Sequence, residues 1–177
     1  MKLREHVVLG GGAAAALAPA LGAENSLIFF ASSVLIDADH YWDYVHRNGF
    51  TGWSWPKTFA FHAALFPKIH APDFLALSVF HTVEWFLAVW LLGAVLGSSA
   101  VFVVFLGMAY HLVLDLVFLV WRRATFKRAL SLIEYHLRRR HLVRRGLDPD
   151  RVYREALAEI GVRPAPLPAA VRADAAS

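Results

Sequence analysis

The sequence predicts an all-α protein: a small multi-pass membrane helical bundle of about four transmembrane or partly inserted helices, with basic amphipathic helices toward the C-terminus. Three observations carry this. The stretch Ser98 to Trp121 is mostly Val, Leu, Phe and Ala, and about twenty apolar residues in a row match the thickness of a bilayer. The 177-residue chain is 58% hydrophobic and 18% charged, with mean hydropathy +0.46; long unbroken apolar runs argue for lipid as the solvent. Nine of the eighteen Lys and Arg residues lie between Arg122 and Arg145, directly after the last apolar stretch, where the positive-inside rule puts the cytoplasm.

Taken in order, the chain starts with a short basic segment holding Lys2 and Arg4. Val7 to Ala23 follows, rich in Ala, Gly and Leu. It reads either as a signal peptide cleaved near Leu21-Gly22-Ala23, or as a first helix whose Gly10 to Ala14 face admits a close neighbour. Glu5 and His6 are foreign to a signal n-region and favour the retained helix. Glu24-Asn25-Ser26 is a polar break, with Ser26 a possible cap. Leu27 to Ile36 is too short to span by itself and runs into Asp37-Ala38-Asp39-His40. It crosses only if helix continues through the acids or the bilayer thins, and a re-entrant helix is the alternative. Tyr41 to Pro72 is a long connection with Trp42, Tyr44, Trp53 and Trp55, which suit the membrane boundary. Pro56 to Leu65 predicts a short interfacial helix within it. Asp73 to Leu96 is the second clear span, and Gly97-Ser98-Ser99 joins it to the next as an antiparallel hairpin. Ala124 to Arg145 reads as a basic helix on an anionic phospholipid surface. Asp148-Pro149 opens a last helix over 150–160, Gly161 stops it, and the Ala- and Pro-rich end is expected to be disordered. The expected organisation is a membrane helical domain carrying a polar site over 1–121, basic cytoplasmic helices over 122–161, and a disordered tail over 162–177.

The chain has no cysteine. Disulfides, thiolate chemistry and sulfur-ligated metals are excluded, so a metal here must use His, Asp and Glu. His111 and Asp115 are one helical turn apart inside an apolar run, and such a pair is a functional-site hypothesis by default. Asp37 and His40 are three apart, as are His81 and Glu84. At 1.5 Å per residue, His81 lies about 12 Å from Asp73, while Asp115 and His111 lie about 9 and about 15 Å from Trp121. The polar residues thus reach a similar depth from one face, where His6 and the Asp37 to His40 cluster also fall. The candidate ligands are His6, Asp37, His40, His81, His111 and Asp115, with Asp39 orienting a ligand histidine. Imidazole and carboxylate together suit a divalent metal, zinc first and then manganese or iron, as one ion or two. Glu84 is the candidate general base, and Arg47 the candidate anion-binding group. Two blander readings stand beside these: a His111–Asp115 hydrogen bond that glues helices together, and an Asp37 to His40 cluster that is only an interfacial helix end. His62, His70, His136 and His141 read as ordinary surface histidines.

Ile36-Asp37-Ala38-Asp39-His40 resembles a Pro-Asp-x-Asp-His motif, and Tyr110-His111-Leu112-Val113-Leu114-Asp115 resembles Ser-His-x-x-x-Asp. Phe80-His81-Thr82 resembles a Thr-His-Ser element, and His6 falls where an early histidine occurs. In this order, over roughly residues 5 to 120, the motifs resemble the YdjM-like group of inner-membrane, predicted metal-dependent hydrolases. The motif order is also distantly similar to that of zinc-dependent phospholipase C proteins. Ile36, Tyr110 and Val83 depart from the pattern, and His46-Arg47 lies far upstream of its expected place. The resemblance implies several transmembrane helices, a bound divalent metal and a place in the bacterial inner membrane; the Lys and Arg pattern puts both termini in the cytoplasm. The expected function is a membrane-embedded metal-dependent hydrolase, acting on a lipid or phosphoester at the cytoplasmic leaflet, with membrane lipid as partner and no nucleic acid. The alternative is a non-enzymatic metal-binding or structural membrane protein.

Overall fold

Gly22 decides the shape of the N-terminal part. The computed structural model describes residues 3–165, and its first helical stretch is α1 (Leu3–Leu35). Inside it Gly22 has φ 76 and ψ 165, a region open in practice to glycine alone. The chain therefore folds back, and residues 3–21 and 23–35 pack side by side, with Gly10 against Ser33 and Phe30. The expected polar break serves this bend. Ser26 Oγ donates to the Gly22 carbonyl at 2.8 Å, and Asn25 Nδ2 donates to the Leu21 carbonyl at 3.1 Å.

After α1 come α2 (Ala38–Arg47), α3 (Trp55–Leu65), α4 (Val83–Leu96), α5 (Ser99–Trp121), α6 (Leu132–Arg144) and α7 (Arg151–Glu159). Two short strands, β1 (Ala76–Leu77) and β2 (Arg128–Ala129), pair in parallel. The chain forms two compact units: one joins the segment up to Asp39 with Leu75–His141, the other joins His40–Phe74 with the segment from Leu142 onward. In the first unit α5 packs along α1. Gly107 makes this close approach possible, because a Cβ there would overlap Ser32 Oγ and lie 2.5 Å from the Phe29 carbonyl oxygen. Ala14, Phe29 and Val103 form the buried apolar cluster between them. In the second unit the buried rings of Tyr44, Phe61 and Tyr153 make the core. The Arg47 guanidinium lies 3.3 Å from the centre of the Tyr153 ring and pairs with Asp43 at 2.7 Å.

The four-crossing bundle is corrected. Among the described residues two stretches are long and apolar enough to cross a membrane, Leu3–Arg47 and Ser99–Trp121. The first lies near the N-terminus, where a signal sequence has the same character, and it is bent at Gly22. The second span expected from Asp73 does not exist as such. Residues 73–82 are turn, strand and a 3-10 turn, and helix starts only at Val83, where Thr82 caps it by accepting from Trp85 N at 3.4 Å. The fourteen residues of α4 reach about 21 Å, short of the roughly 30 Å hydrocarbon layer. The common-depth argument assumed continuous helix from Asp73 and fails with it. The basic segment is not a lipid-facing helix from Ala124 either. Helix starts only at Leu132, Arg128 pairs with the buried Asp115 at 2.6 Å, and Arg138 pairs with Glu134 at 2.7 Å, so these cations have partners within the chain. Several expectations therefore lose their basis: a membrane-embedded hydrolase or scaffold at the cytoplasmic leaflet, membrane lipid and anionic phospholipid surface as partners, and a multi-pass inner-membrane location with cytoplasmic termini. Met1 and Lys2, and the expected tail from 166 onward, lie outside the described residues.

The Gly107 contact gives a test. Gly107→Ala forces α5 away from residues 29–33, and overpacking of this kind costs about 1–3 kcal/mol. Gly12, with nothing within 4 Å of an added Cβ, gains helix propensity on change to alanine. Thermal unfolding should show a lower midpoint for Gly107→Ala and an equal or higher one for Gly12→Ala.

Candidate metal centre

Four side chains from three places in the first unit converge. Asp37 sits in the turn after α1, where its N–H donates to the Val34 carbonyl at 3.4 Å. His81 ends the 3-10 turn Val79–His81 ahead of α4. His111 and Asp115 are successive turns of one face of α5. One donor atom from each of the four lies within 4.8 Å of all the others. His111 Nε2 is 3.3 Å from Asp37 Oδ1 and 3.8 Å from Asp115 Oδ2; His81 Nε2 is 3.7 and 3.8 Å from the same two oxygens. Four donors about 2.0–2.1 Å from a tetrahedral ion stand about 3.3 Å apart; the four His–Asp distances here run from 3.3 to 3.8 Å.

The far side of each imidazole fixes its direction. His111 Nδ1 is 2.7 Å from the Ser33 carbonyl oxygen. A carbonyl only accepts, so that nitrogen carries a proton and Nε2 is the atom left to face the cluster. Burial works to lower the His111 pKa, but the neighbouring Asp115 and Asp37 carboxylates raise it to about 9, so a bound ion would have to displace the Nε2 proton. His81 Nδ1 is likewise 3.0 Å from Asp39 Oδ2, and Asp39 is itself held by the Phe80 N–H at 3.1 Å. Acceptors behind ligand histidines set tautomer and ring orientation in metal sites. The cluster is a buried Asp/His set able to chelate a divalent ion: His81, His111 and Asp115 are buried, and the Asp37 side chain, 17% exposed, faces the open side.

Asp115 is gripped through both oxygens. His6 Nε2 is 3.3 Å from Oδ1, and Arg128 Nη1 donates to Oδ2 at 2.6 Å. The His6 ring also stacks on His111, with centroids 3.8 Å apart and planes at 15°. Arg128 is delivered by β2, whose pairing places Ala76 opposite Arg128 and Leu77 opposite Ala129. Val83 N–H donates to the Leu130 carbonyl at 2.8 Å. Glu84 then caps α6, accepting from Ser131 Oγ at 2.5 Å and Leu132 N at 3.0 Å. The Ser131 hydrogen bond is the main reason the Glu84 carboxyl is pulled down to about 2.

Of the expected site residues, Asp37, His81, His111 and Asp115 form the four-donor group, Asp39 stands behind His81, and His6 lies against His111 and Asp115. His40 belongs to the second unit, where its ring is 4.7 Å from that of His62 and its carbonyl lies 3.0 Å from His62 Nε2. Arg47 also belongs there, on Asp43 and Tyr153. Glu84 is occupied at the start of α6. Sequence reasoning missed Arg128 and Ser33. Arg128 is one of nine basic residues in a row of similar ones, and Ser33 acts through its carbonyl, which no residue type announces. An apolar cavity of about 360 Å³ is walled by Ile28, Ser32, Ile36, Phe80, Trp85 and Met108 among others. Its walls include Ile36 and Phe80, the residues before Asp37 and His81, but none of the four donors themselves. Comparison with protein-family models, curated proteins and solved structures finds no match.

Two outcomes follow. Asp39→Asn should weaken metal binding about 10–100-fold, measured by competition with a chromogenic chelator, while the fold's helix signal is unchanged. Because the folded Glu84 value lies below the ordinary 4.5, its contribution to stability is full above that value and is lost as pH falls through about 2. The gap in unfolding midpoint between the natural protein and Glu84→Gln should therefore close as pH drops from about 4.5 toward 2.

Proposed function

We propose that this protein is a metal-dependent hydrolase using one divalent ion, zinc in the first place, held by Asp37, His81, His111 and Asp115. The observation that carries this reading is the convergence of two histidine Nε2 atoms and two carboxylates within 4.8 Å, with both rings oriented from behind. The order of motifs shared with the YdjM-like predicted metal-dependent hydrolases supports the same reading. An all-nitrogen-and-oxygen donor set suits zinc, manganese and iron alike; zinc is placed first because histidine and carboxylate donors in a set of four are common for it.

When bound, such an ion acidifies water and polarises the bond to be cleaved. The chain's own residues do the rest. Asp39 and the Ser33 carbonyl hold the two imidazoles in direction through their Nδ1 atoms. Arg128 and His6 hold the Asp115 carboxylate in one orientation, which limits reorganisation during the reaction. An open apolar hollow walled in part by Ile36 and Phe80 has the size of a small-molecule site.

Elemental analysis of the purified protein, with hydrolysis measured on a panel of chromogenic esters, tests this. The natural protein should carry one divalent ion per chain, and activity should vanish with chelator and return with zinc. His111→Ala should lose metal and activity together, whereas His136→Ala, on α6, should keep both. A natural protein that takes up no divalent metal would overturn the reading.

A further inference from the structure

The fold fastens Arg128 more firmly than a neutralising ion pair requires. Its backbone is tied to the His81 segment three times over: by the β1–β2 pairing, by Val83 N–H on the Leu130 carbonyl at 2.8 Å, and by Glu84 on Ser131 and Leu132 at 2.5 and 3.0 Å. Arg128 and His81 thus form one rigid piece of the site. Of the guanidinium donors, Nη1 is engaged at 2.6 Å with Asp115 Oδ2. Among the described residues nothing pairs with Nε or Nη2. The side chain is 13% exposed, and neither Nε nor Nη2 is among the fully buried side-chain atoms left without a partner. A guanidinium is planar and always charged, and two of its N–H groups match two oxygens of an oxyanion.

We propose that Arg128 is the anion-binding residue of this site, and that the substrate carries an oxyanion, phosphate or carboxylate in type, next to the bond that is cleaved. Nε and Nη2 hold that oxyanion while Nη1 stays on Asp115. This rests on the hydrolase reading for its place in a reaction, though oxyanion binding can be measured without it. The anion-binding role expected of Arg47 passes to Arg128, because Arg47 lies in the second unit between Asp43, Asp150 and the Tyr153 ring.

The test uses the full chain with its metal content measured in the same sample. Titration calorimetry with inorganic phosphate and, separately, acetate is run on the natural protein, Arg128→Lys and Arg128→Gln, with and without added zinc. The natural protein should bind at least one of the two anions, and which one tells the substrate type. Arg128→Gln should bind it at least tenfold more weakly both with and without added zinc, a loss in the metal-free samples that a purely structural ion pair on Asp115 would not produce. Arg128→Lys should fall between, since it keeps a point charge without the fork. Equal affinity in Arg128→Gln and the natural protein overturns the proposal, as does a natural protein that binds neither anion. If Arg128→Gln does not fold, Arg128→Lys decides on the same scale, and unchanged affinity there overturns it. A protein that binds phosphate through Arg128 but holds no metal defeats the hydrolase reading alone; one that holds metal but no oxyanion defeats the Arg128 assignment alone.

Discussion

The first unit is built around a carboxylate that an apolar helix has to bury. Asp115 lies on α5, flanked by Val, Leu and Phe, and is 3% exposed. An unpaired charge there costs several kcal/mol. The chain meets that cost from three directions. The arm formed by residues 3–21 brings His6, the β2 strand brings Arg128, and the 3-10 turn before α4 brings His81. Much of the architecture follows from these deliveries. Gly22 turns α1 back so that His6 and Ser33 reach the same side of α5. Gly107 lets residues 29–33 approach closely enough for the Ser33 carbonyl to meet His111 one turn later.

Acid is concentrated where these elements meet. Asp37, Asp39 and Asp115 bring three carboxylates, and Arg128 brings a guanidinium to Asp115. Burial works to lower the His111 pKa, but the neighbouring Asp115 and Asp37 carboxylates outweigh it and raise it to about 9, so without an ion the ring carries part of the balancing charge. A divalent cation held by the same donors would take over that role and displace the Nε2 proton.

Parts of this arrangement could be read from residue types and spacing, and parts could not. The four-residue step from His111 to Asp115 puts both on one stripe of a helix whatever surrounds it. The absence of cysteine limits the donors to those found. Asp37-Ala38-Asp39 is informative because one residue's separation sends two carboxylates in different directions, one toward the centre and one behind His81. Residues 73–82 were not legible. Their apolar content suits a helix, but pairing with residues 128–129 imposes strand on 76–77, and that depends on chain about fifty residues away, while the local Thr82 cap starts helix only at Val83. Counting apolar runs therefore overstated the number of membrane-length helices. Arg128 went unseen for the same reason, and the place of Glu84 at the start of α6 was not legible: both contacts are set by tertiary partners, Asp115 and Ser131–Leu132, which neighbouring sequence does not reveal.

The central claim concerns the inner sphere of one ion, and X-ray absorption at the metal edge reads that sphere directly. Zinc-loaded protein should give four nitrogen or oxygen scatterers at about 2.0–2.1 Å, with the outer-shell pattern of two ordered imidazoles. In Asp115→Asn the imidazole pattern should persist while the inner shell changes. A spectrum of six-coordinate, water-like zinc without imidazole scattering would contradict the account, because it would mean that His81 and His111 do not grip the ion their geometry prepares for.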